Sequence, residues 1–519
     1  MLFRARRKKQ HKSELSVNPS ETNGELPSDS TRKDQMPASL QDVSHILSTI
    51  FKDHPNFVVK TLEHPSGQQV GLFYMKIIVN SAMLSRELME PIMSFSGEIT
   101  YGDLLRRIPI GQVNQVQCIN DITQAILLGW TYVHLDGETK GAVFNTSHPK
   151  HRQVSKPEIE TQILGPQVAF TESMEMNSAL IHSYIPDISL KEVSLKAGEK
   201  LSTPISLFYM EDLCDPDLVQ TIQDKVESLN LKAVLDADIL AQWIEDGPTS
   251  IFPQLLLTER VDRAIYPLLE GKAVLMVGGS PFAIICPSTF LDFFKSVEDS
   301  YYRWNTGSFL RLMRVLALLI SLFGTSIYVA ALTYHYETIP QAFLVPLAQS
   351  RARVPFPPLF EALLLELIIQ LLSEAGARLP TKVGQTMGIV GGIVIGQAAV
   401  QAGFTSNILI IIVALGALSS FTTPVFQMAN SIRSTRFPII ILAGILGAEG
   451  IAMGIVLLVL HLLRQTSMGH PYFYPMFAAT GVDKRDGLLR SPYLLFPKKS
   501  IFVQKEGNSS KKPGGDIDD

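Results

Sequence analysis

Cysteine is scarce: Cys118, Cys214 and Cys286 are the three in 519 residues, far apart and without a CxxC pair. That spacing supports neither a disulfide framework nor a zinc site, and a reducing compartment is the default for the region that carries them. Motifs of common catalysis are missing too. Gly271-Lys272 is followed by Ala273, so there is no phosphate loop, and neither HExxH nor GxSxG occurs. His148 and His151 lie three apart with no cysteine or third histidine to make a metal set. No catalytic residue, cofactor or metal is therefore expected. The net charge of −4 gives no footing for nucleic acid, and none is expected as a partner.

What is present is unevenly distributed. The mean hydropathy of +0.18 averages two unlike parts. Residues 1 to about 310 have the mixed polarity of a soluble protein, and nearly all long apolar runs fall in 311–463. The opening MLFRARRKKQHK is basic with no apolar core behind it, which argues against a secretory signal peptide. Residues 1–38 are too polar to offset the cost of ordering and read as a disordered tail.

Two small α/β subdomains follow, over 39–160 and 161–300. In the first, FVVKTLEH and VGLFYMKIIV read as strands around Pro65-Ser66-Gly67, and Asn80 or Ser81 caps the next helix. HPKHRQVSKPEIE reads as a polar linker. In the second, Thr171 is placed as a helix cap, and Asp215-Pro216 opens another helix with proline in its first turn. Ala273–Val277 and Phe282–Cys286 flank Gly278-Gly279-Ser280-Pro281, which reads as a β-hairpin rather than a membrane span.

Residues 301–463 are expected to form an all-α polytopic membrane domain of four to five helices, followed by a tail over 464–519. Its organising stretch is Lys382–Met428, two apolar runs over 384–404 and 408–428, each matching the roughly 20 residues a helix needs to cross hydrocarbon. Gly384, Gly388, Gly392 and Gly396 recur every fourth residue, a spacing suited to close helix packing. Tyr301, Tyr302, Arg303, Trp304, Arg311 and Arg314 form an aromatic and basic belt ahead of the first span, which favours a cytoplasmic N-terminal region. Segment 359–372 is short and carries Glu361, Glu366 and Gln370, so spanning, interfacial and re-entrant placements all stay open. If it spans, Arg378, Lys382, Arg433 and Arg436 fall inside and the basic tail outside; if it does not, the two exchange sides.

Three long motifs occur in order: FPQLLLTERVDRAIYPLLEGKAVLMVGGSPFAIICPSTFLDFF, VPFPPLFEALLLELIIQLLSEAGARLP and GQTMGIVGGIVIGQAAVQAGFTS. Together they resemble the A subunit of GerA-type spore germinant receptors, over about residues 165–478. The resemblance implies a subunit at the spore inner membrane that senses germinants and takes part in ion release. It also implies two partners, a transporter-like B subunit and a lipoprotein C subunit. The expected function is thus a receptor subunit that oligomerises with further A subunits in the lipid bilayer as a ligand-gated cation channel. The alternatives are a secondary transporter of a small solute and a non-conducting scaffold.

Carboxylates at membrane depth are costly and usually paired or turned to water. Glu366 and Gln370 share a helix face and are the first ion-path candidates, with Glu361 about 140° away and Glu449 in the last apolar run. Glu361 is expected to meet Arg351 or Arg353, whereas Glu366 has no basic residue at helical spacing.

Overall fold

A computed structural model describes residues 36–95, 97–147, 156–378 and 396–476. Met36 is buried and its amide donates to the Gln117 carbonyl (3.1 Å), because one apolar side chain suffices to dock the segment into the first core.

The first unit is a five-stranded antiparallel sheet of β1 (Phe57–Glu63), β2 (Gln69–Met75), β3 (Val113–Val116), β4 (Thr131–Leu135) and β5 (Gly141–Phe144), in the order β1-β2-β4-β5-β3. Helices α1 (Leu40–Ile50), α2 (Tyr101–Arg107) and α3 (Ile119–Leu127) accompany it, with a further helical stretch over 81–94 capped by Asn80. Both faces of the sheet are covered, so β4 and β5 are buried along their whole length.

The second unit holds β6 (Leu190–Ala197), β7 (Thr203–Met210), β8 (Leu256–Thr258), β9 (Ala273–Val277) and β10 (Ala283–Cys286), in the order β6-β7-β9-β10-β8. Its helices are α4 (Met174–Tyr184), α5 (Pro216–Glu227), α6 (Ala237–Ile244) and α7 (Val261–Leu269). Counted from its own first strand, the strand order repeats that of the first unit. The helices also fall in the same gaps, so the two units share one topology. β9 and β10 form the hairpin read from GGSP, with Gly279 at φ +88°, a conformation glycine takes without strain. Asp215 caps α5 as expected, whereas the cap of α4 is Ser173, with Thr171 instead holding Asn177.

The two units meet through buried polar groups. Asn56 donates to Glu192 (2.7 Å), which also accepts from Ser178 and Ser206, and His54 faces the Ile188 carbonyl and the His182 ring. Burial first, then His182 and Lys191, push the His54 imidazole down to about 4, against the Ile188 carbonyl and Glu192. Native His54 is therefore neutral where the unfolded residue would begin to take a proton. Its contribution is complete above pH 6.5 and is lost as pH falls toward 4, on the order of 3 kcal/mol in all. Thermal unfolding of the full chain between pH 7 and 4.5 should show this loss, and His54→Gln should flatten the slope. An unchanged slope would place the titration elsewhere.

The remaining helices form a bundle: α8 (Trp304–Thr333), α9 (Gln341–Arg351), α10 (Pro358–Arg378), α11 (Asn407–Ser420), α12 (Phe426–Leu446) and α13 (Ala448–Arg464). Among the described residues α8 alone is both long and apolar enough by composition to cross a membrane. Cross-helix contacts set the directions. α8 leaves the sheet units, and α12 runs beside it the same way, with Ser321 on Arg436 and Tyr334 on the Ile445 carbonyl. α10 runs against α12, with Leu359 beside Gly444, Glu366 on Arg436 and Ser373 on Arg433. Segment 359–372 thus belongs to a 21-residue helix that runs the length of the bundle.

Two apolar runs break where the sequence reads continuously. The run over 408–428 turns after Ser420 at Thr422-Thr423-Pro424, because proline cannot continue the helical hydrogen bonding. The run over 437–463 reverses at Gly447, φ +65°, and becomes the hairpin α12–α13. α13 therefore ends back at the sheet units, and residues 465–476 pack onto the second one. Ser467 donates to the Gln254 carbonyl (2.8 Å), Thr466 to Asp246 (2.6 Å), and the buried Tyr472 to the Pro253 carbonyl (2.6 Å). This extra reversal removes the charge conflict of the sequence reading, since the tail begins at the same end of the bundle as the sheet units.

Candidate functional site

The bundle interior holds several buried ionisable groups. Glu366, 3% exposed, accepts from Thr325 of α8 (2.7 Å) and from Arg436 of α12 (2.6 Å). Arg436 also donates to Ser321 (2.8 Å) and the Gly416 carbonyl (3.4 Å), so one charge pair ties together α8, α10, α11 and α12. The partner of Glu366 lies 70 residues away, beyond the reach of helical spacing. Arg433 and Arg436, read from sequence as loop charges, sit inside α12 facing the bundle. A carboxylate at depth without a local partner was the signal that a distant arginine must reach it.

Glu361 lies on another face of α10, as the 140° separation requires. Its Oε1 accepts from the Ser406 amide (2.6 Å) and the Thr405 hydroxyl (3.0 Å), at the start of α11, where the helix dipole favours an anion. Arg351 approaches its other oxygen at 3.7 Å, one of the two pairings expected. The two carboxylates thus join different helix sets.

Gln370 lines a cavity of about 20 Å³ together with Glu366, Ser373, Ser420, Arg433 and Arg436, room for one water-sized occupant. Arg433 donates to Ser373 (2.8 Å) and lies over the Phe421 ring at 5.8 Å. Glu449 is not within a continuous span. It is exposed in the first turn of α13, just past the Gly447 reversal at the end of the bundle away from the sheet units. Gly384, Gly388 and Gly392 lie outside the described residues, and a Cβ on Gly396 would meet nothing within 4 Å in this single chain. Among the described residues, backbones pack closely at Gly444, where a Cβ would come within 2.6 Å of Leu359, and at Gly450, where it would run into the Leu442 carbonyl. Among the described residues no group of three or more metal-ligating side chains occurs.

Charges also fasten the bundle to the second sheet unit. Asp299, fully buried, accepts from Arg311 (3.2 Å) and Arg314 (2.8 Å), while Arg314 also reaches the Phe294 carbonyl (2.9 Å). These arginines, read as part of an interfacial belt, are internal struts. The TERVDR stretch works similarly on the linker: Glu259 accepts from the amides of Glu158, Ile159 and Glu160, and Arg263 pairs with Glu160 (2.7 Å).

A duplicated antiparallel-sheet unit joined to a helical bundle with a charged interior defines the class: a domain-and-bundle protein whose polar chemistry lies between helices. The family described as Bacillus/Clostridium GerA spore germination protein matches residues 45–501, and the chain belongs to that family. It is 41% identical to Spore germination protein GerQA of Bacillus cereus over 485 residues, 93% of this chain and 95% of that protein. It is 33% identical to the Uncharacterized membrane protein YfkQ of Bacillus subtilis (strain 168) over 459 residues, 88% and 89% of the two chains. The crystal structure of the N-terminal domain of the A subunit of the Bacillus megaterium spore germinant receptor GerK3 is similar at TM-score 0.40 and 21% identity. That likeness covers 50% of this chain and 99% of the other.

Proposed function

We propose that this chain is the membrane subunit of a nutrient germinant receptor, with its bundle in the spore inner membrane and its sheet units in the cytoplasm. One observation carries the membrane reading: the bundle is apolar outside and charged inside. Leu316, Leu319, Ile411, Leu415, Ile441 and Val456 are exposed, while Glu361, Glu366 and Arg436 are buried. Water favours the reverse, and hydrocarbon favours this arrangement. α8, at about 1.5 Å per residue, is roughly 45 Å long, ample for a hydrocarbon core of about 30 Å. Since α8 departs from the sheet units and α13 returns to them, both flanks of the bundle lie on one side.

The reading extends to partners and mechanism. Several copies assemble in the bilayer beside a transporter-like B subunit and a lipoprotein C subunit, and the Glu366/Gln370 face becomes a cation path when germinant binds. In the resting chain Arg436 neutralises Glu366, so opening requires that pair to part. The complete satisfaction of Glu366 within one chain favours a second reading, a non-conducting scaffold.

Glu366→Gln separates the two. At normal receptor level, the conducting reading expects slower release of monovalent cations from spores given germinant. Unchanged release at that level would take Glu366 out of the path and leave packing as its role.

A further inference from the structure

The second sheet unit carries an apolar surface that its own core does not use. On α6, Ala237, Leu240, Ala241 and Ile244 face inward and are buried. Ile239 and Trp243, four apart on the opposite side, are 37% and 59% exposed; Leu235, just ahead of the helix, is 66% exposed, and Ile251 in the following loop is 54% exposed. One exposed apolar side chain is ordinary, whereas a stripe of large ones marks a surface that meets something apolar.

Its place in the fold says what it meets. Gln427 in the first turn of α12 donates to Asp238 of α6, and Ser431, one turn later, donates to the Ile251 carbonyl (2.6 Å). Both anchors hold α6 and its loop against the end of the bundle nearest the sheet units. Phe426, beside Gln427, is 58% exposed, and Leu418 and Phe421 of the preceding helix and turn are also exposed. The two anchors therefore bring the exposed apolar side chains at this end of the bundle near those of α6. The nearby acids are already engaged: Asp236 with Ser280, Asp238 with Gln427, Glu245 with the Gln254 amide, and Asp246 with Lys225 and Thr466. Only Asp246 is paired with a cation, and the partners of Asp236, Asp238 and Glu245 are neutral, so what this face offers to lipid is apolar rather than ionic contact. Tryptophan on such a stripe suits the boundary between headgroups and acyl chains.

We infer that Leu235, Ile239, Trp243 and Ile251 form a lipid-contacting foot, by which the second sheet unit rests in the interfacial layer of the leaflet at its own end of the bundle. The inference rests on the membrane reading above, and its test separates the two. The chain has three tryptophans, Trp130, Trp243 and Trp304, so double phenylalanine variants leave one reporter each. The full chain, in nanodiscs of phosphatidylcholine and phosphatidylglycerol, is compared with lipid brominated near the glycerol end or near the methyl end of its acyl chains.

Trp243 alone should lose on the order of half its emission to the shallow bromine and clearly less to the deep one, as an interfacial side chain does. Trp304, at the start of α8 and 55% exposed, reports whether the bundle is embedded. Quenching of Trp304 without Trp243 would overturn the foot and leave the membrane reading intact. Quenching of neither would overturn the foot, and absence of photoreactive-lipid label from α8 as well would remove the membrane reading with it. Should the phenylalanine variants not fold, a headgroup-proximal photoreactive lipid on the unaltered chain gives the same answer. Label in the 235–251 peptide supports the foot. Its absence there, with label present in α8, or a crosslink from 235–251 to a second copy instead of lipid, overturns it.

Discussion

Arg436→Leu is expected to deplete the folded chain, because it leaves Glu366 buried with only the Thr325 hydroxyl for a partner. Breaking a buried pair from one side costs roughly 3–5 kcal/mol, comparable to the whole stability of many domains. The double variant Arg436→Leu with Glu366→Leu should recover most of that loss, since an apolar pair of similar volume removes both desolvation penalties at once. Membrane-fraction abundance and thermal midpoint of the two single variants and the double one close the cycle. A double variant no better than the worse single one would show that the two side chains do not act as a pair. Recovered abundance also permits a functional question. A receptor that folds with Leu at both positions but fails to respond to germinant would assign the pair to signalling rather than to assembly.

Asp299→Ala should uncouple the sheet units from the bundle. It removes the carboxylate that compensates both Arg311 and Arg314, whose side chains are 14% and 13% exposed. A loss of roughly 3–5 kcal/mol is expected, concentrated at the joint. Limited proteolysis of the full chain should then cut near residues 295–305, where the parent resists, while each side of the joint remains folded. Asp299→Asn, which keeps the shape and one acceptor, should be cut more slowly than Asp299→Ala. Equal resistance of parent and Asp299→Ala would mean that residues 465–476 and the Gln427 and Ser431 contacts hold the joint by themselves.

Local chemistry was readable wherever a few neighbouring residues decide the backbone. Gly278-Gly279-Ser280-Pro281 allows little but a turn, and the strands on either side pair as that turn requires. Asn80 and Asp215 each satisfy the free amides of the helix they begin. The bundle was harder, because apolar composition hides its corners. Thr422-Thr423-Pro424 and Gly447 interrupt stretches read as continuous apolar runs, so these reversals were missed and the tail could not be assigned a side. Pro424 was the available clue. The shared topology of the two sheet units was invisible for another reason: it resides in strand order, which similar residues at equal spacing are not needed to specify.

Sequence alone determined the division into a mixed-polarity region and an apolar one, the family, and the presence of carboxylates within apolar segments. Those properties follow from composition, period and motif, each of which is local along the chain. The partner of each charge was decided only by the tertiary structure. Glu366 meets Arg436 across 70 residues, and Asp299 meets two arginines that look, in sequence, like a membrane-edge belt. Electrostatic compensation depends on separation in space and on exclusion of water, and neither is set until the helices have packed.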